Sequence, residues 1–132
     1  MPHVIVHFDP KFVEQREVDK LKKALPEVVA LALSSTESLP RDLPQDSAKR
    51  EIRTQTHEIF VRQQEAHPTD VNPAYIEIVV EAGKSKLRDP EKVCGLIIKD
   101  IVGLLPERLI GPAFSCVWVK FCPENGFQFT ST

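Results

Sequence analysis

The sequence has little cysteine, no long apolar run and no excess of charge of either sign. Its 132 residues carry a formal net charge of −2, which gives no reason to expect nucleic acid or an anionic membrane as a partner. No apolar stretch approaches the ~18–20 residues that a membrane-spanning helix needs. The first residues lack the charged and apolar segments of a secretory signal. These absences favour a cytoplasmic protein with one self-sufficient hydrophobic core.

Cysteine and histidine are too sparse and too scattered to indicate a metal centre. The three cysteines are Cys94, Cys116 and Cys122, and the four histidines are His3, His7, His57 and His67. No C-x-x-C pair occurs, so we interpret the cysteines as reduced thiols in apolar segments. No cysteine or carboxylate cluster completes a four-ligand site around the histidines. The sequence predicts neither a metal nor an organic cofactor.

Strand and helix patterns alternate along the chain. Period-2 alternation and β-favouring residues predict strands at 3–8, 51–62, 74–81 and 114–121, with a short return strand at 127–129. Apolar residues at three- and four-residue steps predict helices over about 18–33 and 90–105. Pro26 should kink the first helix or start a second helical piece. Asp89 and Pro90 form a good start for the second helix.

This order predicts an α+β fold with two layers. Two consecutive β-α-β units, at about 2–62 and 74–129, would form one mixed sheet with both helices on one face. The whole chain, 1–132, would be a single domain, with a long loop at 34–50 in the first unit.

The face of the sheet away from the helices is predicted to be apolar. It would carry Ile5, Tyr75, Val79 and Trp118. Such a face is too apolar for water alone, so we expect oligomerisation to cover it.

The proline at position 2 directly precedes the first strand. Methionine aminopeptidases remove Met1 when the next residue is small, which would leave Pro2 with a secondary amine. A model α-amino group titrates near pH ~7.7–8.0, and apolar surroundings or a nearby cation lower that pKa. A neutral nitrogen at physiological pH would be an effective general base. The alternative is that Pro2 is ordinary N-terminal punctuation, and retention of Met1 would make its nitrogen an amide.

Four short segments follow one another in a characteristic order. They are Pro2-His3-Val4-Ile5-Val6, Lys23-Ala24-Leu25-Pro26, Ile52-Arg53-Thr54-Gln55-Thr56-His57 and Glu81-Ala82-Gly83-Lys84-Ser85. Their order and spacing resemble the tautomerase superfamily, which includes 4-oxalocrotonate tautomerase, macrophage migration inhibitory factor (MIF) and the 5-carboxymethyl-2-hydroxymuconate isomerases. The sequence is most similar to the last group, although its loop at 34–50 is longer and Gln55 replaces a second basic residue.

The resemblance implies a MIF-like fold, a homotrimer with active sites between subunits, and a cofactor-independent isomerase. Pro2 matches the amino-terminal general base. Arg53 matches the arginine that binds a substrate carboxylate and polarises the adjacent carbonyl. Such an enzyme moves a proton between carbons of an unsaturated 2-oxo or 2-hydroxy carboxylate, a reaction typical of aromatic catabolism.

Four further residues are candidates for substrate binding: His57, Arg62, Lys84 and Phe127. His57 would share a strand face with Arg53, or it would satisfy a hydrogen bond in the core. Arg62 and Lys84 could bind a second carboxylate or be surface charges. Phe127 could form a wall of the pocket or pack between subunits.

Two alternatives to an isomerase stay open. The first is a hydratase, dehalogenase or decarboxylase on the same scaffold, which would need an added carboxylate to activate water. Glu77 and Glu124 are the candidates for that carboxylate. The second alternative is a trimeric binding protein without catalysis.

Overall fold

The computed structural model describes residues 2–34, 55–83 and 90–122. The strands are β1 (His3–Phe8), β2 (Phe60–Glu65), β3 (Ile76–Gly83) and β4 (Ser115–Cys122), and the helices are α1 (Gln15–Leu33) and α2 (Pro90–Leu104). Short 3₁₀ turns at Thr56–Glu58 and Glu107–Leu109 precede β2 and β4. Neither described helix is long and apolar enough to span a membrane.

The four strands form one mixed sheet in the order β2-β1-β3-β4. β1 runs parallel to β2, and β3 runs parallel to β4. The two parallel pairs meet through β1 and β3, which are antiparallel. Two β-α-β units therefore lie side by side, related by an approximate two-fold axis between the central strands. The predicted α+β class and its mixed sheet are confirmed.

Both helices cover the same face of this sheet. The central strands bury every second residue against them: Val4, Val6 and Phe8 from β1, and Ile76, Ile78 and Val80 from β3. The buried stripes of the helices are Val18, Leu21, Leu25 and Val29 in α1, and Val93, Ile97 and Ile101 in α2. Burial of a large aliphatic side chain stabilises the fold by roughly 1.5–3 kcal/mol, so this layer holds the sheet and helices together.

Pro26 lies inside α1, which continues as one helix to Leu33. The prediction that a second helical piece could start at Pro26 is therefore wrong. Leu25 and Val29, on either side of the proline, are fully buried. Their packing offsets the missing backbone N–H, whose loss costs about 3 kcal/mol in a helix interior.

The first residues of the predicted strand 51–62 adopt a different structure where they are described. Thr56–Glu58 forms a 3₁₀ turn. Its geometry is fixed by a reciprocal capping box, in which the Gln55 N–H donates to Glu58 Oε2 at 3.0 Å. β2 therefore begins only at Phe60 and continues to Glu65. Polar side chains that cap a turn here outweigh the β propensity of the surrounding sequence.

The face of the sheet away from the helices, called the open face below, carries three rows of side chains. From the Pro2 end, the rows are Phe60-His3-Glu81-Lys120, Arg62-Ile5-Val79-Trp118 and Gln64-His7-Glu77-Cys116. The middle row is largely apolar, as predicted for three of its members. Tyr75 is the exception, because it precedes β3 and stacks on Phe12 with ring centroids 3.8 Å apart.

Candidate active site at the amino-terminal edge of the sheet

Pro2 lies at the edge of the sheet where the central strand β1 begins. Its carbonyl oxygen accepts a hydrogen bond from the backbone N–H of Phe60 at 3.1 Å. The next residue, His3, pairs with Phe60 on one side and with Glu81 on the other. Pro2 itself is half-buried. The amino-terminal end of the chain is therefore held in place by strands on both sides.

Three other strand ends meet Pro2 at this edge. β2 begins here, and β3 and β4 end here, with Gly83 opposite Cys122. Because the ends of four strands meet at one edge, residues that are distant in sequence come together there. The predicted residues Arg53, Lys84 and Phe127 lie outside the described residues, as do Met1, Glu124 and most of the loop at 34–50.

His57 is exposed in the 3₁₀ turn that leads into β2. The prediction that it lies on a regular strand is therefore wrong, and so is the alternative of a hydrogen bond in the core. The turn packs against α1 near the Pro2 edge. His57 thus remains close to the start of β2, but its side chain faces solvent.

Arg62 lies on the open face beside Ile5, in the middle row. It is exposed, and it follows the Pro2 edge by two residues along β2. At ~3.3 Å per residue, its Cα lies about 7 Å along the strand from Phe60. Arg62 is therefore one row away from the row of His3 and Phe60 that directly follows Pro2.

Glu77 lies at the other end of the sheet. It pairs with His7, four residues along β1 from His3, which corresponds to about 13 Å. Its carboxylate accepts a hydrogen bond from the Trp118 indole N–H at 3.1 Å. Within one chain, Glu77 therefore does not lie beside Pro2.

The structure adds two residues that the sequence did not single out as members of the site. Phe60 donates the hydrogen bond to Pro2, and Glu81 lies directly opposite His3. Both belong to strands that the sequence pattern indicates, but the pattern does not give the register between strands. Only the pairing shows that their side chains share a row with His3.

A groove of about 440 Å³ opens at the opposite edge of the sheet. Its ionisable lining residues are His7, Glu65, Asp70 and Glu77. Three carboxylates repel an anionic substrate, so this groove does not suit an oxo-acid. The row at the Pro2 edge consists of Phe60, His3, Glu81 and Lys120. Among these described residues there is no such excess of negative charge.

Among the described residues, neither Cys94 nor Cys116 indicates a nucleophilic site. Cys94 and Cys116 are free thiols, and burial raises the pKa of Cys94. A raised pKa keeps that thiol protonated and weakly nucleophilic. Within residues 2–34, 55–83 and 90–122, no group of three or more histidine, cysteine or acidic side chains is arranged to hold a metal ion.

No protein-family model and no curated protein matches the chain. Solved structures do match. A protein of unknown function from Vibrio cholerae O1 biovar eltor str. N16961 is 12% identical, with a TM-score of 0.59 over 98% of this chain and 84% of that chain. The R7 fused 4-OT asymmetric trimer is 11% identical, with a TM-score of 0.54 over 98% and 94%.

A third solved structure is Pt0534 inactivated by 2-oxo-3-pentynoate. It is 10% identical to this chain, with a TM-score of 0.51, and the match covers 98% of this chain and 91% of that chain. At such low identity the likeness concerns the fold. The two helices on one four-stranded mixed sheet therefore form the same fold as the fused 4-OT proteins.

Proposed function

We propose that this protein is a cofactor-independent tautomerase that moves a proton between carbons of an unsaturated 2-oxo or 2-hydroxy carboxylate. The proposal rests above all on the position of Pro2, which opens the central strand of a tautomerase fold. Removal of Met1 would leave a secondary amine at that position. The half-buried setting of Pro2 favours the neutral form of this amine, because burial disfavours the charged form.

The reaction needs only one base and one fixed cation. The neutral Pro2 nitrogen accepts a proton from the substrate, either from the enol oxygen or from carbon, and becomes a secondary ammonium. The electron pair left behind shifts through the conjugated system, and the ammonium returns a proton to another carbon. Atoms and electrons balance without an oxidant, a reductant or a leaving group.

Arg53 supplies the cation in this proposal. A guanidinium can hold the substrate carboxylate and the neighbouring oxygen together through its planar fork of donors. Charge builds on that oxygen as a proton leaves carbon, so a fixed cation stabilises the transition state more than the ground state. In sequence, Arg53 precedes the Gln55–Glu58 turn and β2, the strand that bonds to Pro2. Arg62 and Lys84 are candidates to bind a second carboxylate of the substrate. His57 borders the site, and Phe127 is a candidate for one wall of the pocket.

The same proposal includes a homotrimer with active sites between subunits. The fused 4-OT structures with this fold are described as trimers. The open face of this chain has an apolar middle row in which Trp118 is 53% exposed. Packing of three open faces around one axis would cover that row and bring a neighbouring subunit to the Pro2 edge.

One specific observation supports a second candidate reaction, hydration of the substrate on the same scaffold. Glu81 lies opposite His3 at the Pro2 edge, where a carboxylate could activate water. The two reactions are distinguished by running the assay in ¹⁸O-labelled water. A hydratase places the label in a new C–O bond at the attacked carbon, whereas an isomerase forms no such bond.

The first experiment combines intact mass with an activity assay. The mass of the purified protein shows whether Met1 is absent, and ultraviolet absorbance follows the conversion of 2-hydroxymuconate-type and phenylenolpyruvate-type enols. Met1 is also removed before alanine, so Pro2→Ala replaces the rigid secondary amine with a more mobile primary amine. Loss of the positioned base should reduce kcat/KM by about 10²–10⁴-fold. Pro10→Ala, at an exposed turn residue, is the matched control and should retain activity. Full activity in Pro2→Ala, or turnover by protein that retains Met1, contradicts the proposal.

A second experiment tests the amine directly with 2-oxo-3-pentynoate. A neutral secondary amine can add to the alkyne, which is conjugated to the 2-oxo group. A new N–C bond forms, one π bond of the alkyne is lost, and the amine proton ends on carbon, so the adduct retains the full mass of the reagent. We expect this mass on the amino-terminal peptide. An adduct found only on other peptides contradicts the assignment of Pro2.

A further inference from the structure

Phe60 is an exposed aromatic residue whose backbone is hydrogen-bonded to Pro2. Its side chain is 59% exposed, which is unusual for a phenylalanine in a sheet. Its backbone N–H donates to the carbonyl oxygen of Pro2 at 3.1 Å. This hydrogen bond fixes the position of Phe60 relative to the candidate base, whatever ligand is present.

Phe60 gives the Pro2 edge an apolar side. Its row on the open face also contains His3, Glu81 and Lys120, all of which are ionisable. Neighbouring strands are ~4.8 Å apart, so the ring starts within side-chain reach of the first residues of β1. A carboxylate ligand bound at this edge would therefore have charged groups on one side and an aromatic ring on the other.

We infer that Phe60 binds the conjugated or aromatic carbon chain of the substrate and thereby determines specificity. This inference rests on the proposed function, because it takes Pro2 as the group that the substrate must reach. The aromatic ring favours 2-oxo acids that carry a flat, unsaturated substituent over those that end in a methyl group. Offset and edge-to-face contacts between flat π systems provide the preference.

The alternative role for the Phe60 ring is to pack against a second copy of the chain. If Phe60 served only to join subunits, its truncation would change the oligomeric state and would weaken all ligands equally. The two roles are therefore separated by measuring mass in solution and ligand affinity on the same variants.

The binding experiment uses trans-cinnamate and acrylate, two unsaturated carboxylates that differ by one phenyl ring. Their dissociation constants are measured by NMR titration of ¹⁵N-labelled full-length protein. Phe60→Ala should weaken cinnamate about 5–10-fold and leave acrylate unchanged, since an aromatic pair contributes about that factor. Phe60→Leu, which keeps an apolar side chain, should recover part of the loss. Phe114→Ala removes a 38% exposed aromatic ring at the opposite edge and should change neither affinity.

Three results would overturn the inference: no binding of cinnamate by the wild-type protein, equal weakening of both ligands in Phe60→Ala, or conversion of Phe60→Ala to a smaller oligomer. Turnover separates this inference from the proposed function. Phe60-dependent binding of cinnamate without conversion of any enol would contradict the isomerase but not the role of Phe60. Isomerase activity with an unchanged KM for phenylenolpyruvate in Phe60→Ala would contradict the role of Phe60 alone.

Discussion

Arg108 donates hydrogen bonds to both carboxylate oxygens of Glu17, each at 2.6 Å. The same guanidinium donates to the backbone carbonyl of Phe12 at 3.1 Å. Glu17 also accepts a hydrogen bond from the backbone N–H of Glu14 at the start of α1. One carboxylate therefore both caps α1 and ties that helix to the segment that precedes β4.

This pair predicts a pH-dependent contribution to stability. The hydrogen bonds from Arg108 lower the pKa of Glu17 below its ordinary value of 4.5. A lowered pKa in the folded state means that the stabilisation is present above the ordinary value and is lost as pH falls through the lowered one. Glu17→Gln should lower Tm at pH 7 by about 1–3 °C, because the pair is partly exposed. The difference from wild type should shrink in thermal melts below pH 4.5.

The control for that measurement is Glu27→Gln, at an exposed carboxylate of the same helix. Its Tm difference from wild type should not follow the same pH dependence. A Tm difference for Glu17→Gln that stays constant down to pH 2 would show that the charge of Glu17 is not the cause.

Pro26→Ala should stabilise the protein. The proline removes one backbone N–H from the interior of α1, and alanine would restore the hydrogen bond to the carbonyl of Lys22. The loss of proline also frees the unfolded chain, which costs roughly 0.4–1 kcal/mol. Against a helix-interior cost of about 3 kcal/mol, a net gain of about 2 kcal/mol is expected. Urea denaturation measures it, and Lys23→Ala is the adjacent control. A lower urea midpoint for Pro26→Ala would contradict this interpretation of α1.

Trp118→Glu should break the proposed trimer without unfolding the subunit. Trp118 is 53% exposed on the open face, in register with the 8% exposed Val79. Three buried carboxylates around one axis would be strongly unfavourable. Sedimentation should show a smaller species, and circular dichroism should show an unchanged fold. Leu31→Glu, at a 65% exposed position of α1, should leave the oligomer intact. A Trp118→Glu protein that sediments like wild type would place the interface elsewhere.

Arg53→Ala should reduce kcat/KM about 10²–10³-fold, the range for loss of one donor to a developing oxyanion. Arg53→Lys should recover little, because an ammonium cannot form the planar two-point contact. Steady-state kinetics with the same enols measure both variants. Arg16→Ala, at an exposed arginine of α1, controls for the change of net charge. Wild-type kinetics in Arg53→Ala would show that a different cation binds the substrate carboxylate.

Sequence periodicity predicts well the strands and helices that bury only one face. β1 spans His3–Phe8 as predicted, because its alternation matches one buried face. α2 begins at Pro90 and ends at Leu104, close to the predicted limits. Proline at the start and a clear apolar stripe leave little freedom in those limits.

The parts that periodicity did not predict depend on contacts between distant segments. Thr56–Glu58 could be mistaken for strand because its turn is held by the capping side chains of Gln55 and Glu58. Glu77 could be placed on the correct face of β3, but its distance from Pro2 follows from the antiparallel register with β1. The same register brings Glu81 to the row of His3. A single sequence carries no direct record of that pairing.

The approximate two-fold axis between β1 and β3 has a consequence for how many reactive ends the molecule can hold. The residue before β1 is Pro2, whereas the residue before β3 is Tyr75, at the opposite edge of the sheet. The nitrogen of Tyr75 is locked in a peptide bond, so it can never acquire a lone pair basic enough to accept a proton. Because both halves lie in one polypeptide, only one of the two equivalent positions can carry the proposed secondary amine. The equivalent position at the opposite edge instead borders the groove lined by Glu65, Asp70 and Glu77.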